Sequence, residues 1–309
     1  MSSLEGVLVA DKPAGPTSHD IVADLRRFTG SLRVGHTGTL DPFATGVLPL
    51  CIGRATRLSR FLSSGRKLYS GLIHLGVTTD TYDPDGREVS RRPCDAVTAE
   101  AVRWAAALLE GPIMQTPPTY SARKVGGRPL HRLARQGVVA IRRPSPIVVY
   151  RFSILSVAIP QVRFEAETST GTYVRSLAHD LGETLGCGAH LAELRRLASG
   201  SLTIEGAHSR EEIRSRAGEG RLSEIILPLR HLDLGLPTVT LTREGATAMQ
   251  RGAALRSTHL ARPLEPGPTP GPVRVLDETG DLLGVAVPAA ETRDDEVLRP
   301  HVVLARALG

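Results

Sequence analysis

Residues 161–168 alternate without a break: Val162, Phe164 and Ala166 are apolar, while Arg163, Glu165 and Glu167 are charged. A period of two turns one face of a strand to a core and the other to water, the pattern of a half-buried antiparallel strand. Further strands are expected at 6–11, 46–53, 69–76 and 147–157. Helical spacing predicts helices after Thr17 or Ser18 up to Gly30, then over 54–64, 98–110, 172–185 and 189–197. Asp20 stands at capping-box distance from Thr17. Strands and helices do not alternate in a regular βαβ rhythm. The expected fold class is therefore α+β, built on a mixed or antiparallel sheet.

A chain of 309 residues is long enough for two units. A break falls at 232–237 (LDLGLP), giving expected units of 1–234 and 235–309. The second reads as a small β-rich module: strands at 238–241, 273–277, 282–288 and 297–304, a short helix at 243–251 and a Pro/Gly stretch at 263–272. No apolar run reaches the roughly 20 residues of a membrane span. Glu5 and Asp11 near the N-terminus, without a basic segment, argue against a secretory signal. Cys51, Cys94 and Cys187 are odd in number and lack C-x-x-C spacing, so neither a disulfide framework nor a zinc site is expected, and a reducing cytoplasm is.

The formal net charge is +6, and its distribution matters more than its size. Of the 38 Lys and Arg, 30 precede residue 235, against 23 of the 32 Asp and Glu. Residues 120–143 (YSARKVGGRPLHRLARQGVVAIRR) hold seven basic residues and no acidic one. That is the footprint of a polyanion partner, although a solvated basic loop has the same composition. Arg54, Arg57 and Arg60, three apart, could add a second stripe or simply face water. With 11 aromatics in the chain, a long base-stacking platform is not expected; a folded RNA or a duplex with one base engaged fits better.

Residues 35–50 (GHTGTLDPFATGVLPL) carry the candidate chemistry. Gly35, Gly38 and Gly46 permit backbone conformations and close approaches closed to other residues. Pro42 drives Asp41 out of helical geometry. Asp41 is thus a carboxylate on a constrained loop leading into an apolar strand, suited to act as nucleophile or base; on spacing alone an Asx-turn that only caps the loop is the better reading. Gly30 to Thr37 nearly spells a phosphate-binding loop. His36 replaces the lysine, however, and the segment follows a helix rather than a strand, which excludes a nucleotide triphosphatase. Asp80, Asp83 and Asp85 in TTDTYDPDG loosely imitate a calcium loop but lack the distal glutamate; a structured turn is expected, and no metal site.

Long motifs in register then place the chain in a family. GHTGTLDPFATGVLPLCIGRATRL (35–58) resembles the signature of the bacterial tRNA pseudouridine synthase B family, which isomerises uridine 55 of the T-loop. DKPAGPTSHD (11–20), RKLYSGLIHLGVTTDTYDPDG (66–86), QTPPTYSARKVGGRPLHRLARQG (115–137) and STGTYVRSLAHDLGETLGCGAHLAELRRLASG (169–200) are similar to further family segments, covering about 5–232 in order. Pro16 and Leu130 depart from the usual residues. The C-terminal module is similar to the family's small RNA-binding module of the PUA type.

The resemblance implies that Asp41 is the catalytic carboxylate, acting on C1′ as nucleophile or on C2′ as base. It implies that Arg175 pairs with Asp41, and that Tyr69 lies against the flipped uracil. Tyr173 and Leu194 would pack the pocket, His36 would occupy the space the base vacates, and Lys12 would support the site. Phosphate contacts are expected from Arg123, Lys124, Arg128, Arg132 and Arg135, in a T-arm-gripping insertion at about 114–146. The reaction implies no cofactor. The expected partner is tRNA, with no membrane and no obligate protein partner, the chain working as a monomer in the cytoplasm. A pure RNA-binding protein would share the basic run but would need neither Asp41, Tyr69 nor Arg175; a phosphoester hydrolase would need metal ligands or a second placed carboxylate, and the sequence offers neither.

Overall fold

The computed structural model describes residues 4–30, 33–121, 123–125, 127–136, 138, 141–263, 271–289 and 295–304, excluding the side chains of 124, 125, 129, 131, 134 and 135. The chain begins with β1 (Gly6–Lys12), α1 (Ser18–Thr29), β2 (Val34–His36), β3 (Thr45–Ile52), α2 (Ser59–Leu62) and β4 (Lys67–Leu75). The hairpin β5 (Val77–Thr79) and β6 (Glu88–Arg91) precedes α3 (Ala99–Ala107) and β7 (Gly111–Gln115). The basic segment forms β8 (Lys124–Val125), β9 (Arg128–Pro129) and α4 (Leu130–Arg135). Then come β10 (Ser145–Ala158), β11 (Gln161–Thr168), α5 (Val174–Thr184), β12 (Ala189–Ser199), β13 (Leu202–Thr203), β14 (His208–Ser209) and α6 (Arg210–Gly218). The C-terminal part adds β15 (Thr238–Thr240), α7 (Arg243–Gln250), β16 (Leu255–Arg256), β17 (Val273–Leu276), β18 (Leu282–Pro288) and β19 (Glu296–Val303).

The main sheet runs β14-β1-β3-β12-β4-β11-β10-β7, with β2 added to β3 and β13 to β12. In this sheet, β14 on β1 and β12 on β3 pair in parallel and the other described pairs are antiparallel, so the sheet is mixed, as expected for α+β. The C-terminal sheet runs β15-β17-β18-β19-β16.

Burial explains the two kinds of strand. β11 buries Val162, Phe164 and Ala166, and its alternation is that of a strand covered on one face. β1 and β3 are buried almost throughout because both faces are covered. Leu8, Leu48 and Leu50 join α1, α3 and α5 in one core. Val7, Val9 and Val47 meet Leu58, Leu232 and Leu234 on the other face, together with Leu282, Val285 and Leu304 of the C-terminal part. Thr17 caps α1 in a reciprocal box with Asp20, and Gly30 closes it at φ 65°.

Two expectations are corrected. Residues 189–197 form the strand β12, not a helix. Leu191 and Leu194 are three apart, as on a helix face, because register shifts at Leu191/Glu193 and Arg196/Ala198 break the two-residue period. Left-handed Gly188 and Gly200 bound the segment, and pairing with β4 and β3 overrides its helical propensity. Residues 54–64 are a 3-10 stretch, Gly53–Leu58, running into the single turn of α2. Their arginines also contact the protein itself: Arg54 pairs with Glu5 and donates to the Leu304 carbonyl, exposed Arg57 donates to Val303 O (2.7 Å), and exposed Arg60 lies 4.5 Å over the Phe61 ring.

Candidate active site

The loop bearing Asp41 is fixed from beneath by side chains that bind its carbonyls. Lys12, fully buried at the end of β1, donates from Nζ to Pro13 O (2.8 Å), Pro42 O (3.1 Å) and Ala44 O (2.7 Å). Burial lowers its pKa to about 8 against the ordinary 10.5, opposed by the charge of Asp41. The Ser18 hydroxyl donates to Leu40 O (3.1 Å) and accepts from Leu40 N–H (2.9 Å), and Gly15 N–H donates to Pro42 O (2.9 Å). Buried Arg196 on β12 donates to Val47 O (2.7 Å) and Gly38 O (2.9 Å). Gly46 takes φ 100°, and a Cβ there would lie 2.2 Å from Arg196 O, so glycine is required at this crossing. The carbonyls on both sides of Asp41 are thus held by cationic side chains and backbone, which leaves the carboxylate little freedom.

Asp41 faces Arg175 on the first turn of α5. Nη2 donates to Oδ1 (3.1 Å), and Nε stands 2.9 Å from Oδ2 as a charge contact rather than a directed hydrogen bond. The Arg175 side chain is 4% exposed and that of Asp41 33% exposed, so the acid alone opens to solvent. Arg175 also donates from Nη1 to Asp83 Oδ2 (2.9 Å) and Thr81 O (2.9 Å), and from Nη2 to Tyr120 O (2.9 Å). A buried guanidinium with two carboxylates and two carbonyls is a compensated charge that locks geometry. Asp83 is buried on the far side; desolvation raises its pKa, against the pull of Thr81 and Arg175. Its Oδ1 also accepts from the Thr81 hydroxyl and from Asp85 N–H (3.1 Å). The DPDG segment is the expected turn, but Asp83 is also a second anchor of the arginine. Sequence reasoning missed that, since an aspartate in a turn-forming string gives no sign that its side chain points inward.

Tyr69 on β4 and Leu194 on β12 are buried with Leu40 and Val174 in the core beside this pair. Leu194 sits opposite Gly71 across the β4–β12 ladder, two residues along from Tyr69. Tyr173, half-buried, is the residue on which α5 begins. His36 is half-buried on β2, its ring edge-on to His19 at 5.3 Å, and burial lowers its pKa toward the neutral imidazole. The structure thus brings Lys12, Asp41 and Arg175 together at one point, and sets Tyr69 and Leu194 in one wall.

The expected phosphate-binding residues lie on the segment that follows β7. Arg123 donates to the Ser145 hydroxyl (2.5 Å) and Arg128 to Gln136 Oε1 (2.5 Å), while Arg132 is exposed. The side chains of Lys124 and Arg135 fall outside the described residues. Leu130, a departure from the family's usual residue, is buried at 2% exposure.

Residues 26–174 match the family described as TruB family pseudouridylate synthase (N terminal domain), and 175–232 match the tRNA pseudouridylate synthase B C-terminal domain. The chain belongs to the TruB family of pseudouridylate synthases. It is 41% identical over 282 residues to tRNA pseudouridine synthase B of Solibacter usitatus, covering 91% of this chain and 95% of that protein. With the synthase of the same name from Stutzerimonas stutzeri it shares 37% over 301 residues, covering 96% and 95%. Among solved structures, a Cbf5-Nop10-Gar1 complex contains a chain that superposes with a TM-score of 0.78 at 27% identity, covering 97% of this chain and 85% of that one. A chain of an H/ACA RNP bound to a substrate RNA containing 2′-deoxyuridine gives 0.77 at 25% identity, covering 98% and 86%.

Proposed function

We propose that this protein isomerises uridine 55 in the T-loop of tRNA to pseudouridine, acting as a single chain in the cytoplasm with Asp41 as its catalytic residue. The observation that carries the reading is the Asp41–Arg175 pair: a solvent-open carboxylate held against a buried guanidinium in a chain of this family. Its curated relatives carry the name tRNA pseudouridine synthase B, which supports tRNA as the substrate.

The reaction breaks C1′–N1 and forms C1′–C5, while a proton leaves C5 and one arrives at N1, so the product is an isomer of the substrate. Attack at C1′ and proton abstraction at C2′ both start from an ionised acid, and Arg175 stands directly against that carboxylate. The uracil must leave its stack, at a cost of a few kcal/mol. Tyr69 and Leu194 receive it, Tyr173 closes the pocket, and neutral His36 fills the space behind it. Lys12 holds the loop. Arg123, Lys124, Arg128, Arg132 and Arg135 contact T-arm phosphates, which fix position without reading sequence. The C-terminal module, as a PUA-like unit from 235 onward, adds RNA contact.

The test is incubation with unmodified T-arm RNA and mapping of pseudouridine at every uridine. Conversion at the single T-loop position is expected. Conversion elsewhere would overturn the site assignment, and no conversion would overturn the function.

A further inference from the structure

Helix α5 carries Arg175, yet it begins on Tyr173, whose side chain supplies no cap. An uncapped first turn is a poor mount for a side chain that must aim at Asp41. Gln115, the last residue of edge strand β7, takes over that task. Gln115 as a whole is 2% exposed, and its carboxamide grips one residue's main chain at both ends: Tyr173 N–H donates to Oε1 (2.8 Å), and Nε2 donates to Tyr173 O (3.0 Å). Two further bonds join the same parts of the chain. The Ser176 hydroxyl donates to Thr116 O (3.0 Å) and Arg175 Nη2 to Tyr120 O (2.9 Å). Residues 173, 175 and 176 are thereby tied to 115, 116 and 120, where the basic segment leaves the sheet. The nitrogen that holds Tyr120 also holds Asp41 Oδ1.

We propose that Gln115 is a positioning residue for the isomerisation: by clamping the Tyr173 main chain it seats the first turn of α5, fixes the aim of Arg175 at Asp41, and couples that aim to the base of the RNA-gripping segment. The inference rests on the function proposed above. Gln115 itself touches neither Asp41 nor the expected position of the base; it acts through Tyr173 and Arg175. A misplacement of about 1 Å at a reacting group can cost about 100-fold in rate, so loss of the clamp is felt in the chemical step rather than in RNA capture.

The test compares single-turnover conversion and RNA affinity for wild type, Gln115→Met and Gln115→Glu, each also combined with Arg175→Lys. Methionine keeps the volume and removes both bonds; glutamate keeps the acceptor for Tyr173 N–H. The expected result is a loss of about 30- to 100-fold in conversion for Gln115→Met. RNA affinity should stay within about twofold, and Gln115→Glu should fall between the other two. Added to Arg175→Lys, Gln115→Met should cost no more than about threefold further, since both changes act through one interaction. Wild-type conversion in Gln115→Met would overturn the proposal. So would a full additive loss in the Arg175→Lys background, or RNA affinity falling in step with rate, because a merely structural role predicts both. A wild-type protein that makes no pseudouridine would instead overturn the function itself, and assaying it beside every variant separates the two failures.

Discussion

Cations surround the Asp41 loop and recur along the basic segment at 120–143, yet they are held in opposite ways. Around Asp41, buried Lys12, Arg175 and Arg196 point inward and bind carbonyls and carboxylates of the protein itself. In the basic segment Arg128 and Arg132 are exposed, and Arg128 donates to Gln136. Cations of the first kind are already satisfied and serve as fixtures; those of the second kind keep donors available for phosphate. A count of basic residues cannot separate these classes. Burial does, and it also places two of the three lysines, Lys12 and Lys67, in the interior.

This contrast can be broken at several points. Apart from Asp41 itself, the largest effect is expected at Asp83, where Asp83→Asn removes the charge that balances Arg175 on the side away from Asp41. Conversion should fall about 100-fold with RNA affinity unchanged, because the arginine is displaced rather than lost. Rates and affinities measured on the same RNA check this; an unaltered rate would mean that Asp41 alone orients Arg175.

Lys12→Met should lower conversion by about tenfold through loosening of the loop at Pro42 and Ala44. It should also alter the pH dependence of stability. The folded-state pKa, about 8, lies below the ordinary 10.5, so the native state disfavours the charged form and the contribution of Lys12 to stability rises between those values. The variant loses that share of the rise, while Lys67, also lowered to about 8 by burial, keeps its own. Urea unfolding on both sides of this window is the measurement, and an unchanged profile would contradict the burial of Lys12.

The smallest change in chemistry is expected from neutralising Arg123, Lys124 and Arg128 together. Saturated conversion should stay within about threefold of wild type, while the slope of log affinity against log salt should flatten by about 0.7–0.9 for each phosphate that is no longer neutralised. An intact slope would move the phosphate site away from this segment.

Much of this was legible in the chain. The Thr17–Asp20 box, the alternation of β11 and the Asp41-Pro42 kink are local signals, and local physics realises them. The pairing of Arg175 with Asp41 was reachable only through family resemblance, since 134 residues separate them in sequence. What stayed hidden depended on tertiary context. The bulges of β12 imitate helical spacing, Arg54 and Arg57 turn to the carbonyls at the end of β19, and Asp83 turns inward from a string that reads as a surface turn.

The most direct measurement replaces Asp41 with asparagine, which preserves shape and removes the charge, and follows both T-arm binding and pseudouridine formation in one preparation. Binding close to that of wild type, with conversion reduced by at least about a thousandfold, is the predicted result. Retained conversion would contradict a reaction that begins from this acid, and a parallel loss of binding would make Asp41 a structural residue.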